Sequence, residues 1–393
     1  MTRAANAISS SVRREWTRLR ADPWDFAMLT SIPLALYLLT WWIFSAGVAR
    51  DLPLVVIDRD HSVLSRSLIR MLDQSPGLKV ALAANSETEA FHLIRERRAF
   101  GIVAIPAGMQ KTMLGGGAAS VQWAYNAQFA SHTGAMTRDV RTVVATLSAG
   151  IETQGRAKRG AAAIEARQLY EPVRTRTAAL FNESGSYLPS LALPVAFSLM
   201  HILVTLAAVT GIGRELRGAT VPDWLAAADG QLGAALLGKL IIPFGAFAAQ
   251  ALLLVLLFGV VLGWPILGSA TAMLLGTAFF ISAYLALGAC IVAFTSSLRS
   301  ALSICAFVTA PAFAFSGQGF PVLAMPLAAR IWAEALPLTH YLPLLNNTWM
   351  AGAPLRFGIV PVALLLLFTL GFGAAAYLRL ASRVRQPASW GKL

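Results

Sequence analysis

Six stretches of this chain stay apolar for longer than an amphipathic period allows: Phe26–Ala46, Leu188–Ile212, Ala235–Leu262, Ala270–Phe294, Ala301–Phe315 and Phe357–Leu378. A helix rises about 1.5 Å per residue and the bilayer core is about 30 Å thick, so about 20 such residues span it. The fifth stretch falls short. It runs into Ser316-Gly317-Gln318-Gly319, after which Pro321, Pro326 and Pro337 interrupt the chain. That pattern predicts a re-entrant hairpin near residues 317–345, or a pair of half-helices, buried against protein on the outer side.

Between the first two stretches the period changes. Leu52–Asp58, Leu78–Leu82, Gly101–Ile105 and Val121–Tyr125 read as strands. Asp60-His61-Ser62 starts a helix with Leu64, Leu68, Ile69 and Leu72 on one face, and Ser86-Glu87-Thr88-Glu89 reads as a capping box for a helix through Arg98. A long polar helix over Ala135–Gln168 returns the chain to the second apolar stretch. Strands alternating with helices imply a mixed sheet. In residues 1–25, Trp16 and Leu19 sit among Arg13, Arg14, Arg18 and Arg20, which predicts an amphipathic surface helix; that segment is too long for a cleaved leader's basic end, despite Ala46-Gly47-Val48-Ala49.

The expected fold is therefore a polytopic α-helical membrane protein, six transmembrane helices with an outer re-entrant hairpin, plus an inserted α/β extracytoplasmic domain. Its parts are an interface helix (1–25), a first span (26–48), the insert (49–187), a five-helix membrane region (188–380) and a basic tail (381–393).

Composition agrees. Of 393 residues, 56% are hydrophobic and 13% charged, where soluble chains carry about 25% charged residues. The formal charge of +13 does not point to nucleic acid, because the basic residues flank apolar stretches. Arg3, Arg13, Arg14, Arg18 and Arg20 precede the first, Arg214 and Arg217 follow the second, Arg299 the fourth, and Arg379, Arg383, Arg385 and Lys392 the sixth. With six spans these regions share one side, the cytoplasm, together with both termini. The bias of Arg over Lys, with abundant Ala, suggests a GC-rich bacterium and hence its inner membrane. Cys290 and Cys305 lie in apolar stretches and read as small buried side chains.

Candidate chemistry is sparse. The sequence holds no Walker loop, no His-Glu-x-x-His and no Gly-x-Ser-x-Gly. Among the histidines only His201 falls well inside a span, where an ionisable group points to the transport path; its plainer reading is a neutral imidazole bonded between helices. Gln250 has the same two readings. No carboxylate falls mid-span, which disfavours a carrier driven by an ion gradient.

Several segments, in order, resemble the type-2 ABC transporter permeases. Arg14-Glu15-Trp16 with Asp22 and Pro33 is similar to the family's amphipathic opening, and Val56-Ile57-Asp58, Asp60 and Ser62 to its long-insert branch. Gly213-Arg214-Glu215-Leu216-Arg217-Gly218-Ala219-Thr220 resembles its charged stretch after the second span, and Leu237-Gly238-Lys239 its Gly-Lys pair. The turn at Gly263, Pro265 and Gly268, the run Pro311 to Pro326 and Leu336-Pro337-Leu338-Thr339-His340-Tyr341 follow in the family's order. Gln318 departs from it, standing where the family usually has an apolar residue.

The resemblance implies a permease subunit of an exporter, suited to hydrophobic or amphiphilic compounds and without catalysis of its own. Cofactors are expected on a separate cytoplasmic ATPase subunit, which would bind ATP and magnesium. Further partners would be a second permease subunit, alike or related, membrane lipid, and a periplasmic adaptor docked on the insert. Coupling to the ATPase would fall on Glu15, Trp16, Arg214, Glu215, Arg217 and Gly218, their charges offered to a groove on the partner. The gate or path would be formed by His201, Gln250, Ser316, Gly317, Gln318 and Gly319. The competing reading is a membrane-anchored receptor or scaffold working through the insert, for which six spans and a broken hairpin are more than needed.

Overall fold

A computed structural model describes residues 2–115, 117–157, 181–182 and 184–391. The chain forms two compact units, Val48–Ala178 and Met1–Gly47 with Ala179–Leu393. The far end of the predicted helix to Gln168, and Lys392 of the tail, lie outside the described residues.

The larger unit is helical. It opens with α1 (Thr2–Ala21), α2 (Pro23–Leu29) and α3 (Ser31–Phe44). A π-helical turn at Leu188–Ala192 leads into α8 (Leu193–Arg217), then a short α9 (Val221–Ala226) and α10 (Leu232–Leu256), which ends in a second π-helical turn at Leu257–Val261. There follow α11 (Ala270–Phe294), α12 (Leu298–Thr309), α13 (Ala312–Phe315), α14 (Leu327–Glu334), α15 (Pro337–Trp349) and α16 (Leu355–Arg383). Six helical segments are long and apolar enough to cross a membrane: Pro23–Phe44, Leu188–Arg217, Leu232–Val261, Ala270–Phe294, Leu298–Phe315 and Leu355–Arg383. All six apolar stretches read from the sequence correspond to these segments, the second and sixth extended by a turn or more.

Burial separates these segments. α8 and α11 form the centre, with Phe197, Val204, Phe280 and Tyr284 fully enclosed. By contrast only 11% of the apolar window of α16 is buried, and Leu367, Leu370 and Leu378 are exposed. Faces so apolar require lipid or another apolar protein surface beside them.

The chain after the fifth segment is more ordered than its prolines suggest. Pro337 opens α15, where its missing N–H leaves no donor unpaired, and Leu338, Leu342, Leu345 and Trp349 bury one face of it. Glycine-rich Ser316–Gly319 and a single 3-10 turn at Val322–Ala324 separate α13 from α14.

α1 differs from the surface helix expected. Its inward face is Ala7, Ser11, Glu15 and Leu19, all buried, and it packs along α10. Small and charged side chains, rather than a greasy stripe, make this contact.

The smaller unit holds β1 (Leu52–Asp58), α4 (Val63–Asp73), β2 (Leu78–Ala83), α5 (Glu87–Arg95), β3 (Gly101–Ile105), α6 (Met109–Leu114), β4 (Gln122–Tyr125) and α7 (Ala130–Ala157). The sheet order is β2-β1-β3-β4, with β1 parallel to β2 and β3, and β4 antiparallel to β3. Because alternate residues face opposite sides, β1 feeds two cores. Leu54 and Val56 pack with α4, α6 and α7, while Val55 and Ile57 pack with Ala90 of α5 and Ile102. Ser86 accepts from Glu89 N, but the Glu89 carboxylate reaches Asn85 N instead of Ser86 N. The reciprocal capping box forms one helix earlier, between Ser62 and Ser65.

Candidate functional site

The charged residues of the helical unit collect where α1, α2, α8 and α10 meet. A close approach makes this possible. A Cβ on Gly238 would fall 2.1 Å from Ser11 Oγ and 2.9 Å from the Ser11 carbonyl carbon, so only glycine lets α10 lie so near α1. The next residue, Lys239, reaches between two carboxylates. Its Nζ bonds to Glu15 and lies 2.5 Å from Glu215 Oε1. The three side chains are 1–3% exposed.

Around this centre the pairing continues. Arg14 donates two bonds to Glu215, at 2.6 and 3.0 Å. Arg18 bridges Glu15 at 2.5 Å and Asp25 at 2.6 Å. Arg214 joins Asp25, at 2.8 Å, to Asp22, and Asp22 also caps α2 by accepting from Trp24 N and Asp25 N. Thr220 Oγ1 donates to Glu215 Oε2 at 2.5 Å. Four cations thus face four anions. The hydrogen bond from Arg14 to Glu215 raises the guanidinium pKa further above its ordinary value, and the bond from Arg214 holds the Asp22 carboxyl below the usual range.

Charge balance and burial make this cluster a joint rather than a reactive centre. Removing one member of such a buried pairing strands another charge and costs about 3–5 kcal/mol.

Glu15 and Glu215, read from the sequence as charges offered to a partner, are spent inside the chain, and Arg214 is largely spent with them. The surface falls to other residues. Trp16 is 40% exposed under the Arg20 guanidinium, 4.6 Å from its ring centroid. Arg217 and Gly218, at the end of α8, are exposed, as are Pro222 and Asp223 of α9. α9 itself is fixed from below. Val221 and Trp224 are fully buried, and Trp224 Nε1 donates to Ala235 O at 3.1 Å.

The gate and path candidates divide in two. Ser316, Gly317, Gln318 and Gly319 stand together as the turn after α13. Gly317 takes φ +84°, open to glycine without strain, and Gly319 is exposed. Ser316 Oγ, buried, donates to Phe313 O at 2.7 Å. Gln318 Nε2 donates to Ser190 O at 2.8 Å and its Oε1 accepts from Asn346 at 2.8 Å. The amide thereby ties the turn to the π-helical start of the second segment and to α15. His201 and Gln250 lie elsewhere and bond between helices. His201 Nε2 lies 3.2 Å from Thr309 O, and its ring is 4.7 Å from that of Tyr284. Gln250 donates to Leu29 O at 2.7 Å and accepts from Tyr37 Oη at 3.2 Å. Leu29 is the last residue of α2, so Gln250 satisfies a carbonyl released by the break before α3.

A protein-family model described as ABC-2 family transporter protein matches residues 23–378, nearly the whole chain. The chain belongs to the ABC-2 transporter family. It is therefore a polytopic helical membrane protein and a transmembrane subunit of an ABC transporter, the transport part rather than the ATPase. No curated protein matches it. Within this ABC-2 subunit the Gly-Lys pair at the start of α10 has a physical reason: glycine admits α1 and lysine neutralises what α1 and α8 bring. Lys239 was not among the candidate site residues. Its signal was present, a lone lysine at the mouth of an apolar stretch.

Proposed function

We propose that this subunit forms part of the substrate path of an ABC exporter in the bacterial inner membrane, with both termini cytoplasmic. A separate ATPase, holding ATP and magnesium, drives it through the exposed turn from Arg217 to α9. The carrying observation is that this turn is mounted on the ionic joint. Thr220 is bonded to Glu215, which is held by Lys239 and Arg14, so a push on α9 reaches α1, α8 and α10 together. The Arg-flanked helix ends support the orientation. The open apolar faces of α3, α10 and α16 support a second permease subunit and lipid as neighbours. An apolar path suits hydrophobic or amphiphilic cargo, and the α/β unit, extracytoplasmic on this reading, docks a periplasmic adaptor.

The test must avoid the buried charges, because reversing Glu215 would break the joint itself. R217E alters a single exposed group that makes no bond to the joint. It should abolish stimulation of the co-purified ATPase by this subunit while the chain stays monodisperse in detergent. Full stimulation would refute coupling through this turn.

A further inference from the structure

The α/β unit carries a concavity that a transport path through the helical unit does not explain. Its volume is about 420 Å³, inside the ~300–1,000 Å³ range of small-molecule sites. It opens where α5 ends beside β4. α5 packs over β1, and Ala124, paired with Ile102 across the strands, leaves a low floor. Ile102 and Ile94 continue that floor, and exposed Phe91 forms a wall. The rim carries Arg95 and Arg97. Among the described residues neither arginine has an ion pair, and no acid lines the concavity. Arg97 moreover occupies the left-handed position that ends α5, at φ +59°. Arg98 N bonds back to Leu93 O there, the helix ending that ordinarily uses glycine. An arginine kept at a glycine position, exposed, its guanidinium 5.7 Å from the Phe129 ring centroid and in no ion pair among the described residues, next to apolar floor and aromatic wall, matches a ligand that joins an anion to an apolar body.

We infer that this trough binds an anionic amphiphile, a carboxylate or phosphate seated on Arg95 and Arg97 with its apolar part over Ile94, Ile102 and Ala124. The inference stands apart from ATPase coupling, so the two fail separately. The test uses the full chain in nanodiscs of zwitterionic lipid, with saturation-transfer NMR reading 2-naphthoate, 2-naphthyl phosphate, neutral 2-naphthylmethanol and cationic 2-naphthylmethylammonium. The two anions should bind saturably and the other two at least tenfold more weakly. R95Q/R97G, whose glycine suits the backbone, should weaken anion binding at least tenfold. A124L fills the floor without touching charge and should do the same. Equal binding of anion and neutral probe, or wild-type anion binding by A124L, would overturn the inference. Displacement of 2-naphthoate by dihexanoyl phosphatidate supports it with a lipid headgroup as the source. Displacement by 2-naphthyl phosphate alone supports it with a free amphiphile.

Discussion

Two polar clusters hold the two ends of α8, and they do so by different physics. At Ser190 the tie is one neutral amide, Gln318, making two bonds of 2.8 Å. At Arg214 and Glu215, roughly 37 Å along at helical rise, it is eight charges. An amide bond lost can be replaced by water or a shifted rotamer, since each contributes about 0.5–1.5 kcal/mol net. A charge lost from the joint leaves its partners buried and unbalanced. The neutral end can therefore loosen in steps, while the ionic end is held or broken as a whole. On the proposed drive through the turn after α8, the stiff end lies where force would arrive and the softer end away from it.

The sharpest way to break this contrast is K239M. It strands Glu15 and Glu215 and should cost about 3–5 kcal/mol, seen as a large fall in the detergent unfolding midpoint. The double variant E15Q/K239M should recover much of that loss, because three cations then face three anions, Arg14 on Glu215, Arg18 on Asp25 and Arg214 on Asp22. If the single variant were as stable as the double, the ionic account would be wrong.

G238A tests the close approach on which the joint depends. The added methyl meets Ser11 backbone as well as side chain, so α1 must move. A loss of about 1–3 kcal/mol is expected, with increased proteolysis within α1. At the neutral end, Q318L leaves Ser190 O and Asn346 Nδ2 unpaired and should cost about 1–3 kcal/mol. Hydrogen exchange should speed up locally around residues 316–325 and leave the ends of α1 and α10 unchanged. Spread of that effect to α1 would erase the distinction between the two ends.

The smallest expected effect is in pH. Asp22 has its pKa depressed by Arg214, so it binds fewer protons folded than unfolded and its contribution is present above the ordinary carboxylate range, near pH 4. Acidification through and below that range should loosen α2 from α8 in wild type. In D22N that acid-dependent part should vanish, as monitored by a fluorophore near Trp24.

Much of this architecture was legible because apolar runs of bilayer length are hard to bury anywhere but in lipid. β1 and β3 were found at their observed bounds, since β-branched runs such as Val55-Val56-Ile57 have no helical competitor nearby. α14 and α15 are two short helices, as the half-helix reading has it, but their bounds were not legible, because Pro337, read as an interruption, serves as a helix start. The break between α2 and α3 has a local cause in Pro33, which offers no N–H to Leu29 O; what the sequence does not show is that Gln250, from far along the chain, supplies the missing donor. The joint was half legible. Glu15, Arg214 and Glu215 were singled out, but as surface charges, because pairing with Lys239 is a property of three dimensions. Gln318 was noticed for its polarity, and its partners, a carbonyl of one helix and a side-chain amide of another, carry no sequence signature.

Lys239 stands 224 residues from Glu15, with the whole α/β unit threaded between. A ribosome delivers α1 and the first span long before the lysine exists. Until then Glu15 has only Arg18 and water, Arg18 has Asp25 besides, and α1 lacks the helix it lies against. The N-terminal helix is thus fastened by one of the longest closures in the chain, after the sheet, whose contacts are nearer in sequence, has had time to form. Assembly of this subunit is expected to finish where it began, at its first twenty residues.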